Sequence, residues 1–199
     1  MRVFGAFLFS VTLVGAVASV AAADAGGVSA TGMLNLMPLG TFRAEVGNDR
    51  DSEGTELAYG IAAQIDYHVT SNISVGFAPR FTLNVIPDTA DANDDAATQL
   101  DLLARVQYNH PLNPQLTAFG FLAPGYSIIN LPDDGNGLDN PSGLVLGFGA
   151  GGRYMLNEKL FAQGELGYQH GFHGLEVMSR DITFATNYLH LGVGIGSHF

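Results

Sequence analysis

The chain has 199 residues, 19 acidic against 8 basic side chains, a formal net charge of −11 at pH 7 and no cysteine. This charge disfavours binding to nucleic acid, which depends on Lys and Arg neutralising phosphates. The lack of cysteine excludes a disulfide-stapled secreted fold. Lys159 is the only lysine, whereas soluble surfaces ordinarily mix Lys with Glu widely. The composition therefore indicates a surface that is not wholly in contact with water.

Residues 1–23 have the layout of a cleaved secretory signal peptide. Arg2 precedes a long apolar run, and an Ala-x-Ala site ends at Ala23. We expect cleavage before Asp24, which leaves residues 24–199 as one domain. A retained transmembrane anchor is the alternative, but no positively charged flank follows the apolar run. The chain is therefore expected to be exported through the Sec pathway.

Beyond Asp24, apolar and polar side chains alternate with period 2, and no window shows a convincing helical repeat. The pattern is plainest where Ile73, Val75 and Phe77 alternate with Ser74 and Gly76. It predicts eight β-strands. These lie near residues 30–46, 57–69, 73–86, 99–110, 115–128, 143–155, 159–172 and 184–199.

The connections between the predicted strands alternate in length. The short turns are TSN, PLNP and NEK, whereas the long polar loops are GNDRDSEGTE, PDTADANDDAAT, NLPDDGNGLDNPSG and HGLEVMSRDITFA. Short turns at one end and long loops at the other are typical of transmembrane β-barrels, in which the turns are periplasmic. The predicted fold is all-β, an eight-stranded antiparallel transmembrane up-and-down β-barrel.

A soluble eight-stranded barrel such as a lipocalin would show the same period, so the direction of each face matters. Four Arg and four carboxylates share the minority face of the strands and balance in charge. They are Arg43, Glu45, Asp66, Arg80, Asp101, Arg105, Arg153 and Glu165. Equal numbers of Arg and carboxylate suit a narrow interior in which charges must pair. We predict a lumen charge network that fills the barrel, with a gated ion path as the alternative reading.

Aromatic residues on the apolar face support the same orientation. Tyr67, Tyr108, Tyr154 and Phe199 lie near the turn-side ends of the second, fourth, sixth and eighth predicted strands. Aromatic side chains prefer the boundary between membrane and water. These four are therefore predicted to form a periplasmic-side aromatic girdle. The last strand must then pair with the first, because an open sheet edge in hydrocarbon would leave backbone groups unpaired.

Two stretches resemble the small outer-membrane β-barrel proteins of the OmpA/OmpX type. Residues 143–172, GLVLGFGAGGRYMLNEKLFAQGELGYQHGF, contain a Gly-rich strand that ends in Arg-Tyr, a short turn and a strand with an inward Glu. Residues 191–199, LGVGIGSHF, look like the family's C-terminal targeting strand. The resemblance implies a location in the bacterial outer membrane and recognition of the last strand by the barrel-assembly machinery. It identifies the architecture better than the activity.

Prolines inside the predicted strands should disturb the sheet. Pro38, Pro79 and Pro124 each lack a backbone N–H for the ladder, so we expect a β-bulge at each. Near Pro124 the alternation is ambiguous, because Phe119 and Phe121 fall out of phase with the other apolar residues of that strand. A slip in register there is one way to bring them to the lipid face.

Other candidate sites have weak patterns. The long loops hold 13 of the 19 acidic residues, which suits either a calcium-bridged contact with lipopolysaccharide phosphates or a solvated loop surface. The spacing of His170, His173 and Glu176 permits a metal site, or packing at the membrane boundary.

Some barrels of this size are lipid A deacylases that use Ser and His. Here the pairs would be Ser179 with His173, or Ser197 with His198.

None of these pairs combines a nucleophile, a base and an orienting acid on one exposed face. We therefore predict no catalytic residue, no metal and no cofactor. The predicted function is a non-enzymatic structural or surface-interaction role, with a narrow channel or a carrier for small hydrophobic molecules as the alternative. The expected partners are outer-membrane lipids, lipopolysaccharide and the assembly machinery, with no nucleic acid. The protein is expected to be a monomer.

Overall fold

The structure, a computed structural model, describes residues 25–46, 49–55, 57–85, 97–131, 140–177 and 180–199. In these ranges the regular elements are antiparallel strands. They are β1 (Val28–Val46), β2 (Asp49–Gly54), β3 (Ala58–His68), β4 (Ile73–Leu83), β5 (Thr98–Pro111), β6 (Leu116–Asn130), β7 (Ser142–Met155), β8 (Leu160–Val177) and β9 (Arg180–His198). Each strand from β3 to β9 pairs with the next, and β1 pairs with both β3 and β9.

The pairing of β1 with β9 closes the sheet into an eight-stranded barrel, which confirms the predicted fold class. At the closure, the amide of Phe199 donates to the carbonyl oxygen of Val28 at 2.8 Å. The last strand is therefore held by the first along its length. Within the described residues, no helix has the length and the apolar character needed to cross a bilayer.

Three short turns join the strands at one end of the barrel, here called the turn end; the opposite end is the loop end. Each turn begins with a side chain that caps its backbone. Asn113 Oδ1 accepts from the amides of residues 115 and 116, and Asn157 Oδ1 does so from those of residues 159 and 160. Thr70 Oγ1 does the same for residues 72 and 73. Such local side-chain bonds explain why two or three polar residues suffice for each reversal.

The register determines the width and the tilt of the barrel. Starting at Gly152 and stepping through each paired residue (Gly164, Val193, Leu34, Ile61, Phe81, Leu100 and Ile128) leads back to β7 at Ser142, ten residues away. Eight strands with a shear of ten tilt by about 40° from the barrel axis. At this size side chains alone can fill the interior.

The bulge expected at Pro38 is present. The pairing of β1 with β9 shifts between Leu36 and Leu39, so that Met37 and Pro38 lie opposite the single residue His190. One extra residue reverses the alternation of β1 beyond that point. Arg43 is consequently exposed on the outer face of the barrel instead of pointing into the lumen.

The bulges expected at Pro79 and Pro124 are absent, so this prediction was wrong. Next to each proline two pairs are missing from one ladder, but the register is the same on both sides of the gap. The other ladder of each strand runs through the proline without interruption. β6 therefore needs no slip, and Phe119 and Phe121 are buried inside the barrel.

Two of the predicted long loops contain strand. β2 lies in the first predicted loop and pairs with the loop end of β1. In the fourth predicted loop, β8 continues as far as Val177 and β9 begins at Arg180. β1 and β9 have 19 residues each, whereas a membrane strand needs about 9–11. One side of the barrel therefore rises beyond the height of a bilayer at the loop end.

Candidate functional site in the barrel interior

Most of the predicted lumen network does lie inside the barrel. Six of its eight side chains are buried there with balanced charge, namely Asp66, Arg80, Asp101, Arg105, Arg153 and Glu165. Arg43 is not brought to the others, because the bulge turns it outward. The side chain of Glu45 lies outside the described part of the structure.

An ion pair links opposite walls of the barrel. Arg105 on β5 donates from Nη2 to Glu165 Oε2 on β8 at 2.9 Å, and both side chains are buried. His190 Nε2 lies 3.4 Å from the other carboxylate oxygen of Glu165, and Gln64 Nε2 donates to Oε2 at 3.4 Å. The guanidinium of Arg105 also lies 3.8 Å from the ring centroid of Phe121. Glu165 therefore joins side chains of β3, β5 and β9 at one point in the lumen.

A second polar group lies nearer the loop end. Arg80 Nη1 donates to Gln169 Oε1 at 2.8 Å, and Gln169 Nε2 donates to Asp101 Oδ2 at 3.0 Å. The other oxygen of Asp101 accepts from Gln99 Nε2 at 2.7 Å. Gln169 thus connects a positive charge on β4 with a negative charge on β5, as buried charges require partners.

At the turn end the interior is closed by rings. The guanidinium of Arg153 lies 4.2 Å from the ring centroid of Phe161 and donates to Gln163 Oε1 at 3.0 Å from Nη2. The ring of His198 packs between Phe161 and His68, with centroid distances of 4.8 and 5.6 Å. Gln163 Nε2 donates to Gln64 Oε1 at 2.9 Å, which joins this layer to the one around Glu165.

The loop end of the interior is apolar instead. Its core consists of Met37, Ala58, Val85, Ala97, Ile129 and Tyr188, all at most 4% exposed, with Leu131 against it. The hydroxyl of Tyr188 donates to the carbonyl oxygen of Val85 at 2.7 Å. Tyr188 lies on β9 and Val85 follows β4, so this bond spans the lumen. The loop end is therefore apolar, whereas the rest of the interior combines the charged and polar groups with a second apolar cluster formed by Ala78, Leu103, Phe119, Phe121, Ala123 and Val145.

The outer face is apolar, as the sequence predicts. Tyr67, Tyr108, Tyr154 and Phe199 all point outward at the turn end with about half of their surface exposed. Further aromatic side chains point outward in the loop-end half of the wall: Tyr59, Phe81, Tyr126, Tyr168 and Phe172. Tyr59 and Phe81 were predicted on the apolar face, but a group of aromatics at the loop end was not predicted, although the shared parity of these residues is a signal that could have found it.

The weaker candidates do not come together. His170 points outward, whereas His173 is buried inside the barrel, and the Glu176 side chain is not described. Ser197 Oγ donates to the backbone carbonyl of His198, whose ring packs on Phe161 and His68. Ser179 and most acidic loop residues lie outside the described part, so those predictions concern residues with no described structure. In that part no three His, Cys, Asp or Glu side chains could hold a metal.

Sequence reasoning missed the amides that connect the network, although it expected His190 to be a hydrogen-bonded lumen residue. Gln64, Gln163 and Gln169 are each buried and bonded to a charged partner or to one another, and His190 is buried beside Glu165. Their inward parity was visible in the sequence. Only the register shows which strands they join, because their partners lie far apart in the chain.

A closed antiparallel barrel with an apolar outside and a packed polar inside defines a membrane-spanning β-barrel protein. The sequence model of the family described as "Outer membrane protein beta-barrel domain" matches residues 7–199. The chain belongs to this family, and its location is the bacterial outer membrane.

Two solved structures support the architecture. The outer membrane protein OprG from Pseudomonas aeruginosa aligns with a TM-score of 0.60 at 15% identity over 89% of this chain and 97% of that one. AlkL, an outer membrane protein solved in DMPC bilayers, aligns with a TM-score of 0.54 at 16% identity over 94% and 97%. At these identities the likeness concerns the fold alone. A search of curated protein sequences finds no significant match.

Proposed function

We propose that the protein is a non-conducting, non-enzymatic barrel that serves as a structural or surface-contact component of the outer membrane. The buried Arg105–Glu165 pair carries this proposal, because it joins opposite walls across the lumen where a pore would need water. The amide and ring contacts on either side of the pair fill the rest of the polar interior. A lumen filled in this way leaves the loop end as the surface for contacts outside the membrane.

The proposal includes a monomer inserted by the barrel-assembly machinery through its last strand. Support for this comes from β9, which pairs on both edges and closes the barrel with β1. A strand that completes the closure is a suitable signal for insertion, because the barrel cannot close without it. Among the described residues, β1 and β3 to β9 form a closed ring, so the barrel wall itself needs no partner subunit to pair its strands.

Electrical measurement tests the closed lumen. We expect the refolded wild-type protein to show no ion currents in planar lipid bilayers, because charged side chains fill the narrow interior. Arg80→Ala and Arg153→Ala should show no ion currents either, since each substitution removes one side chain from only one of the several layers that fill the interior. Stepwise currents in the wild type that grow in Arg153→Ala would overturn the closed-barrel proposal and support a gated ion path.

The contact role is tested by exchanging the loops with the barrel retained. Cells that carry the wild-type protein should adhere to host cells or to an abiotic surface more than cells without it. Replacing residues 86–96 and 132–139 with Gly-Ser segments of equal length should remove this difference. The heat-dependent gel mobility of a closed barrel provides the control for folding. Equal adhesion with and without the protein would contradict a surface-contact role.

A second candidate function is the binding of small hydrophobic molecules, and the apolar cluster at the loop end favours it. That cluster fills the loop end of the barrel interior with apolar side chains, and the hydroxyl of Tyr188 bonds across it to the carbonyl oxygen of Val85. A filling with a purely structural role could equally be polar. We expect naphthalene to bind the wild type, and Ile129→Asn to abolish this binding by placing an amide in the cluster. Val145→Asn, at another buried site in the barrel, is the matched control. Fluorescence of bound naphthalene would report the result, and its absence in the wild type would exclude this candidate.

A further inference from the structure

The outward turn of Arg43 places a cation on the wall of the barrel. Beyond the bulge in β1, Thr41 and Arg43 face outward and are exposed, and they pair with Asn187 and Ala185 of β9. Arg43 and Asn187 are thus diagonal neighbours on one face, with about 7–8 Å between their Cα atoms. The guanidinium belongs to the outer surface and takes no part in the lumen.

Next to Arg43, a chain of hydrogen bonds runs across three strands on the same outer surface. Asn187 Oδ1 accepts from the Tyr168 hydroxyl at 2.6 Å and lies 2.6 Å from His170 Nδ1. Asn187 Nδ2 donates to Thr41 Oγ1 at 3.0 Å. If Nδ1 carries the proton of His170, its Nε2 is left for a further ligand. The polar groups are therefore held in place by one another at the wall of a membrane protein.

The height of this group matches the lipid headgroups. Asn187 and Phe199 are 12 residues apart on the outward face of β9, which at a tilt of about 40° corresponds to a height of about 30 Å. The apolar band of such barrels is about 25 Å tall. With Phe199 at the turn-side boundary, Asn187 lies just beyond the opposite boundary. Arg43 lies about 5 Å further out, where the headgroups begin.

The residue that separates Arg43 from Phe172 on the outer face is small. Ala185 pairs with Arg43 on one side and with Phe172 on the other. Because Ala185 carries only a methyl group, it stands lower on the wall than Arg43 or the exposed ring of Phe172. The ring of Phe172 packs edge-on against His170, with the centroids 4.1 Å apart. A cation, a hydrogen-bonding row and an apolar ring thus border one shallow notch.

We propose that this notch binds the phosphorylated headgroup of an outer-leaflet glycolipid. Arg43 donates hydrogen bonds to two oxygens of one phosphate, because its planar guanidinium suits bidentate contact with phosphate. His170 and Thr41 lie beside the sugar, and the acyl chains follow the apolar wall below Tyr168. The wall site is independent of what the loops contact and of whether the lumen conducts.

The test uses the refolded full-length barrel in detergent and native mass spectrometry with purified lipid A as the probe. We expect Arg43→Gln to lower the fraction of protein that carries lipid A. The affinity should fall about tenfold, the usual cost of losing a charged hydrogen bond. Asn187→Leu should also weaken binding, since it releases His170 and Thr41 from their positions. Lys159→Gln removes the same charge at the turn end and is the matched control. Heat-dependent gel mobility shows that each variant is folded.

Two further arms identify the ligand. Lipid A without its phosphates should bind the wild type and Arg43→Gln equally weakly, because the guanidinium then has no partner. Inorganic phosphate should not displace lipid A, because the proposal requires the acyl chains as well as the phosphate. The proposal is overturned if Arg43→Gln binds lipid A as tightly as Lys159→Gln does. It is also overturned if inorganic phosphate competes at equal concentration, which would indicate a small-anion site.

Discussion

Glu165→Gln should lower the free energy of unfolding by about 3–5 kcal/mol, the cost of leaving a buried charge without its partner. The substitution keeps the size of the side chain but removes its charge, so that the buried guanidinium of Arg105 loses the carboxylate with which it forms an ion pair. The contact of Glu165 with His190 is weakened at the same time. Urea unfolding of the barrel in phospholipid vesicles, followed by gel mobility without boiling, measures the change.

The chain offers a matched control for this experiment. Glu158→Gln makes the same chemical change in an exposed turn, and we expect a shift within about 0.5 kcal/mol. Replacing both members of the pair, Arg105→Met with Glu165→Leu, should recover much of the lost stability, because no unpaired charge then remains. If Glu165→Gln unfolds at the same urea concentration as Glu158→Gln, the ion pair does not stabilise the barrel.

Gly149→Ala should destabilise the barrel by about 1–3 kcal/mol, the usual cost of overpacking. A methyl group at this position would collide with the backbone carbonyl oxygen of Leu166 and lie 2.8 Å from Phe121 Cζ. The carbonyl cannot move away, because Leu166 belongs to the ladder between β7 and β8. Phe121 is held by the guanidinium of Arg105, 3.8 Å from its centroid.

Gly147→Ala is the control on the same strand and the same face. A methyl group there meets Ala123 Cβ at 3.6 Å, which is ordinary contact distance. We expect this variant to unfold within about 0.5 kcal/mol of the wild type. The two variants would be compared by the same urea titration in vesicles. Equal midpoints for both would show that the space above Gly149 is larger than the structure indicates.

Patterns of period 2 predicted the barrel wall because they depend only on neighbouring residues. β3, β5 and β7 begin and end within two residues of the predicted strands. The alternation also predicted which residues face inward, so Asp66, Arg80 and Glu165 were identified as lumen residues. The prediction failed at Arg43, because one bulged residue at Pro38 reverses the parity of everything beyond it.

The pairing of the interior charges could not be predicted in the same way. The alternation places Arg105 and Glu165 inside but does not indicate which carboxylate Arg105 meets. Their bond depends on the shear of ten residues, which is a property of all eight strands together. The same applies to Tyr188 and Val85, which are joined across the lumen although 103 residues separate them.

By itself, the sequence determined that this protein is an outer-membrane barrel, because the alternation of side chains and the lengths of the connections are local properties of the chain. Tertiary structure alone decided how the barrel is filled and what its wall presents. The charged layers, the apolar loop end and the outward Arg43 all depend on register, closure and one bulge. These arise only when strands distant in sequence pair, and a one-residue shift in any of them moves a side chain to the other face.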